Sequence, residues 1–216
     1  MSSFFRQIFL ITVLIAGACA LAGTEFNQLL ALAKAKYDEK GSLQVSQWLQ
    51  MLDSQESFTE KSKLLLVNDF FNQRIRFSTD QLIWGRKDYW ATPVETLGYQ
   101  QGDCEDFSIA KYVTLLKMGV PMEKLRLTYV KAQLEGVARA HMVLAYYESP
   151  AAEPLILDNL SLDILPASQR TDLFPVFSFN SAGLWVGNGR QPKVKKPETR
   201  LSRWRDVLTR MQAEGL

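Results

Sequence analysis

The chain has 216 residues, 47% of them hydrophobic and including 12 Phe, 7 Tyr and 5 Trp, which is the composition of a filled globular core and excludes an unfolded chain. Lys and Arg number 25 against 23 Asp and Glu, so the overall charge of +2 does not ask for a nucleic-acid partner. The distribution is uneven: residues 190–210 carry eight Lys/Arg against Glu198 and Asp206, while residues 23–189 hold 16 basic against 20 acidic side chains.

A short polar start with Arg6, an apolar run from Ile8 to Ala16 and the small-residue stretch "GACALAG" have the form of an export signal. Ala20-Leu21-Ala22 predicts cleavage before Gly23, and the apolar run is short for a membrane span. A lipoprotein signal through Cys19 fits less well, because Ala16 rather than a larger aliphatic residue stands three positions before it. Export removes Cys19 and leaves Cys104 without a disulfide partner in an oxidising compartment, where an unpaired thiol calls for a chemical role. Residues 1–22 are thus expected to be a signal peptide, 23–189 one domain, and 190–216 a basic linker with a C-terminal helix.

Leu30, Ala33 and Tyr37 suggest a first helix from Phe26 to Tyr37, and Val45, Trp48, Leu49 and Leu52 a second. A third is predicted from Thr59 to Arg76 on the stripe Leu64, Val67, Phe71. Residues 77–101 show no sustained period and predict a shaped loop leading to a site. Cys104 to Lys117 reads as a helix that Gly102 opens with a tight turn and that Gly119 and Pro121 stop. "LRLTYVKA", "HMVLAYY" and "PLILDNL" are strand-like at hairpin spacing, "VFSFN" and "GLWVG" add further strands, and Leu201, Trp204, Leu208 and Met211 mark a final helix after the Pro/Lys-rich linker. Helices first and strands later predict an α+β fold, with the cysteine helix packed on an antiparallel sheet whose edges hold the remaining site residues.

Cys104, the chain's single histidine His141, and Asp158 occur in the order of a thiol-protease triad, 37 and 17 residues apart. A thiol in the first turn of a helix meets unpaired N–H groups and the positive end of the dipole, which favour thiolate. His141 is expected at a strand start and Asp158 at a strand end, so the three can converge with the imidazole as base and the carboxylate as its orienting acid. The plainer alternative is a buried small cysteine, a core histidine and a turn-forming aspartate.

Asp103, Glu105 and Asp106 surround the thiol, and their charge opposes the helix effect. Hard oxygen ligands at this density suit Ca²⁺, though acidic residues in a first helical turn also simply complement the dipole, and the pattern alone leaves both open.

The motifs "LLLVNDFFNQRIRF", "DYWATPVETL", "GDCEDFSIAKY", "HMVLAYY", "LDNL" and "PVFSFN" resemble the bacterial transglutaminase-like cysteine proteinases typified by LapG. The resemblance implies a papain/transglutaminase-like core, a triad of Cys104, His141 and Asp158, and activity-supporting calcium on Asp103, Glu105 and Asp106. It also implies a periplasmic endopeptidase whose substrate is a large surface adhesin, released by cleavage near its N-terminal retention module to promote biofilm dispersal. The expected inhibitory partner is an inner-membrane LapD-like cyclic-di-GMP receptor. Two other readings stand beside this one: acyl transfer of the transglutaminase or deamidase kind on the same residues, or a non-catalytic binding module whose aromatic loop and basic tail dock a partner, with no nucleic acid in any of them.

Overall fold

The computed structural model describes residues 26–54, 58–187, 189 and 191–216, so the expected signal segment with Cys19 lies outside the described residues. Residues 26–36 are helical (α1), followed by α2 (Glu39–Asp53) and α3 (Glu60–Arg74). Asp38 and Thr59 start α2 and α3 by accepting from the amides of Gly41 and Ser62, and the predicted stripes Val45, Trp48, Leu49 and Leu64, Val67, Phe71 are buried.

The predicted loop over 77–101 is instead structured. It holds α4 (Asp80–Trp84) and α5 (Pro93–Tyr99), flanked by two-residue strands β1 (Arg76–Phe77) and β2 (Gln101–Gly102) that pair in parallel. Helices of five and seven residues are too short to display an amphipathic period. Their signal is capping: Thr92 and Glu95 form a reciprocal box with Pro93 just inside the helix, and Gly85 ends α4 in the left-handed region at φ 65°.

Helix α6 (Cys104–Lys117) is buried almost all round, with Phe107, Ile109, Ala110 and Leu115 inside, which makes it the core helix of the molecule. It packs on a six-stranded antiparallel sheet: β3 (Leu125–Leu134), β4 (Val137–Tyr146), β5 (Leu155–Leu157), β6 (Leu165–Pro166), β7 (Leu173–Phe179) and β8 (Leu184–Val186), ordered β6-β5-β4-β3-β7-β8. Glu135 and Gly136, both at positive φ, make the tight β3–β4 turn. Leu125, Leu127, Met142 and Leu144 face the helices, while Val130, Val143, Ala145 and Ile156 form a smaller cluster of their own. The α+β expectation is met.

Two positional expectations need correction. His141 lies in the middle of β4, opposite Val130, because the strand runs back through exposed residues 137–140 that apolar patterning could not reveal. Nor do sheet edges carry the site: β4 is interior, and β5 is covered by β6, a strand of only two residues.

After residue 190 the chain is tied down rather than loose. Val194 bridges Leu184, and α7 (Ser202–Glu214) buries Trp204, Val207 and Met211 in the main core, with the Trp204 ring edge-on to Tyr112 and Phe179. Part of the basic excess is spent in ion pairs, Arg203 with Asp88 at 2.7 Å and Arg210 with Glu95. Among the described residues no helix is long and apolar enough to cross a membrane.

Candidate active site

Cys104 is the first residue of α6, directly after the N-cap Asp103, as the sequence predicts. Its half-buried thiol donates to Glu105 Oε2 at 2.8 Å, and Glu105 Oε1 accepts from the Tyr129 hydroxyl at 2.8 Å. Burial pushes the thiol well above its ordinary range, and the charges of Glu105 and Asp103 push the same way; the backbone amide of Met142, the residue after His141, pulls against them. Burial and carboxylates therefore oppose the helix terminus at this thiol.

His141 and Asp158 meet directly, Nε2 to Oδ1 at 2.8 Å, both buried. That bond leaves Nδ1 as the nitrogen available to another group. Asp158 is fixed on every side. Oδ1 also accepts from the amides of Asn159 (2.7 Å) and Leu160 (3.2 Å), Oδ2 accepts from Arg170 Nη2 (2.7 Å), and the backbone carbonyl accepts from Asn72 Nδ2 (2.8 Å) and Lys111 Nζ (3.0 Å). Burial alone would raise this carboxyl, but the bonds and charges of His141 and Arg170 prevail and hold it at about 2. Asp158 is thus a permanent carboxylate at neutral pH.

Lys111 was not singled out by sequence, since a lysine within a helix ordinarily reaches solvent. Here it is fully buried, bonded to Asn68 Oδ1 (2.9 Å) and the Asp158 carbonyl, and burial lowers it to about 7 despite the charges of Asp158 and Asp69. The unfolded chain keeps this proton to about pH 10.5, so between pH 7 and 9 the unfolded state binds more protons than the folded one. Wild-type stability relative to Lys111→Met is expected to be flat below pH 7 and to climb above it, by at most about 1.4 kcal/mol per pH unit. Urea unfolding of both proteins from pH 6 to 9 checks this, and a constant difference would contradict it.

Asp103 and Asp106 do cap the helix: Asp103 Oδ1 accepts from the Glu105 amide (3.2 Å), Asp106 Oδ2 from the Asp103 amide (3.2 Å), and Asp106 Oδ1 from the Ala91 amide (2.7 Å). Capping does not exhaust them. Asp80, absent from the sequence-derived set because it reads as an ordinary first-turn acid of α4, brings a further carboxylate, one oxygen of which lies within 4.8 Å of one oxygen each of Asp103 and Asp106. Asp80 Oδ2 accepts from the Tyr89 amide at 2.6 Å, whereas its buried Oδ1 has no hydrogen-bond partner among the described residues. Burial first, and then the charges of Asp106, Glu105 and Asp80, raise Asp103 to about 10; burial raises Asp80 and Asp106 as well. Crowded, buried hard oxygens with an orphaned acceptor fit a divalent cation of the calcium type.

Gly102 proves necessary for closeness rather than for a turn. A Cβ there would stand 2.8 Å from the Asp106 Cβ and 3.0 Å from its Oδ2, while the left-handed residue is Gln100 at φ 55°. Gly102→Ala is expected to displace Asp106, costing about 1–3 kcal/mol of stability and weakening cation binding, as read by a melt with and without calcium. An unchanged melt in both conditions would contradict that role.

A family model described as bacterial transglutaminase-like cysteine proteinase matches residues 39–186. Among solved structures, Legionella pneumophila LapG is similar at 40% identity and a TM-score of 0.73, covering 86% of this chain and 97% of that one. Its EGTA-treated form gives 0.76 with the same coverage, and its calcium-bound form 0.75 with 86% and 98%, both again at 40% identity. No curated protein matches the chain.

Proposed function

Since the chain belongs to the bacterial transglutaminase-like cysteine proteinases, we propose that it is a calcium-dependent periplasmic endopeptidase that cuts the N-terminal region of a large surface adhesin, with Cys104, His141 and Asp158 as its triad. The observation that carries this reading is the buried His141–Asp158 pair, locked by Arg170, in a fold that starts its core helix at Cys104.

The chemistry follows from what each atom has left to offer. With Nε2 committed to Asp158, His141 takes the thiol proton through Nδ1, and the Cys104 sulfur attacks the scissile carbonyl. The imidazolium so formed, stabilised by a carboxylate that stays ionised, then gives its proton to the leaving amine, and water releases the acyl group from sulfur. The backbone N–H of Cys104, at the start of α6, is the donor placed for the developing oxyanion.

Asp80, Asp103 and Asp106, each with one oxygen within 4.8 Å of the others, are the residues that would hold calcium, with Glu105, grouped with Asp103 and the thiol, as a further ligand. A bound calcium would supply positive charge beside the thiol and compete for Glu105, whose Oε2 accepts the hydrogen bond of the Cys104 S–H. The thiol is then left to His141.

The adhesin substrate, the periplasmic location and restraint by a LapD-like inner-membrane receptor of cyclic-di-GMP are supported by family membership and by the export-like N-terminus. The test is mass analysis of an adhesin N-terminal fragment incubated with the protein lacking residues 1–22. Two products whose masses add to the parent plus one water are expected. Exchange of a glutamine amide without backbone cleavage would identify transglutaminase or deamidase chemistry instead.

A further inference from the structure

Behind the sheet, on the side of the smaller apolar cluster, is a cavity of about 410 Å³ that none of the residues discussed for catalysis or calcium lines, save Arg170. Val130, Val143, Ala145 and Ile156 give it an apolar wall. Arg126 and Arg170, only 9% and 6% exposed, also line it; Arg126 is its positive charge, since Asp158 and Asp172 offset that of Arg170.

Neither guanidinium is fully satisfied. Arg126 is sandwiched between the rings of Tyr147 and Trp185, 4.6 and 4.1 Å from their centroids, and its buried Nε has no hydrogen-bond partner among the described residues. Aromatic faces hold the group in place and offer it no counter-ion. Arg170 gives Nη2 to Asp158 and Asp172 and Nε to Asp172, so two carboxylates meet its charge, while its buried Nη1 stays unpartnered. A buried guanidinium without a counter-ion is costly unless an anion meets it, and among the described residues Arg126 has none. The volume and the mix of apolar wall with few polar groups are those of a small-molecule site.

We propose that this cavity binds a small amphipathic anion, its carboxylate or phosphate held by Arg126 and its apolar body lying on Val130, Val143 and Ala145. Arg170 joins this site to the active one, because the same guanidinium holds Asp158. Binding itself is independent of the proteinase reading and is measured without any cleavage.

Calorimetry on the purified protein tests it with octanoate and octyl phosphate, set against octanol and inorganic phosphate. Saturable one-to-one binding of octanoate, octyl phosphate or both is expected, about tenfold or more tighter than octanol or phosphate; which of the two binds better identifies the head group. Arg126→Gln, which removes the charge, and Ala145→Leu, which fills the apolar wall, are each expected to weaken binding about tenfold or more, with cooperative melts showing that the variants fold. Two variants, one removing the charge and one filling the apolar wall beside it, keep the test decisive if one of them does not fold. No saturable binding of either amphiphile, affinity unchanged in the folded variants, or inorganic phosphate binding as tightly as octyl phosphate would overturn the proposal.

Discussion

Cys104→Ala and His141→Ala are expected to abolish cleavage outright while leaving folded protein. After loss of residues 1–22 the chain has no second thiol, and it has no second imidazole at all. Cys104 packs at the margin of the main core, so truncation to Ala leaves a minor cavity, whereas catalysis loses its nucleophile. Asp158→Asn should fall by about 10²- to 10⁴-fold rather than to zero, since it removes orientation and charge stabilisation but not the attacking atom. Its stability should also drop, because Arg170 would then face an uncharged amide in a buried pair. Turnover is read on the adhesin fragment and folding by circular dichroism. Clear cleavage by Cys104→Ala above a mock purification would rule out the thiol mechanism.

Calcium removal is expected to have the second large effect. Chelation by EGTA should eliminate activity and lower the melting temperature, and readdition of calcium should restore both; a cation at 100 times its Kd stabilises the native state by about 2.7 kcal/mol. Magnesium should substitute poorly, since it demands tight octahedral geometry and gives up water reluctantly. Asp80→Asn makes the experiment specific. Its amide oxygen can still accept from the Tyr89 N–H, and it removes one charge from the crowd around Asp103, so the variant should melt no lower than wild type in EGTA. In calcium it should show a reduced stabilisation and reduced turnover. Glu105→Ala should lose both. If the carboxylates act only as helix caps, EGTA will change neither quantity, and the substitutions will cost about 1 kcal/mol with activity kept.

What was legible in the sequence follows from how far each signal extends along the chain. The stripes of α2 and α3 and the stop at Gly119 are local and periodic, and the thiol at a helix start could be read from Gly102 to Lys117 alone. The neighbours of Asp158 could not. Asn72, Lys111 and Arg170 arrive from α3, α6 and the segment before β7, and no spacing rule connects them. Asp80 was hidden for a related reason: a first-turn aspartate has an ordinary explanation, and only folding shows that β1 and β2 bring the start of α4 beside Asp103 and Asp106. Gly102 was legible as important but for a different reason, since the close approach to Asp106 is a tertiary fact. The basic tail drew attention by composition, and the fold uses part of it to dock α7 through Arg203 and Arg210.

The central claim is that Cys104 becomes a nucleophile when His141 rather than Glu105 receives its proton, with a cation on the surrounding carboxylates. The rate of Cys104 alkylation by iodoacetamide near neutral pH measures this directly, in saturating calcium and in EGTA, beside a free-cysteine peptide and the His141→Ala variant. The account predicts alkylation faster than the peptide in calcium, a marked slowing in EGTA, and slow reaction under both conditions for His141→Ala. A wild-type rate no higher than the peptide's in calcium, and unchanged by EGTA, would show a buried structural cysteine and contradict it.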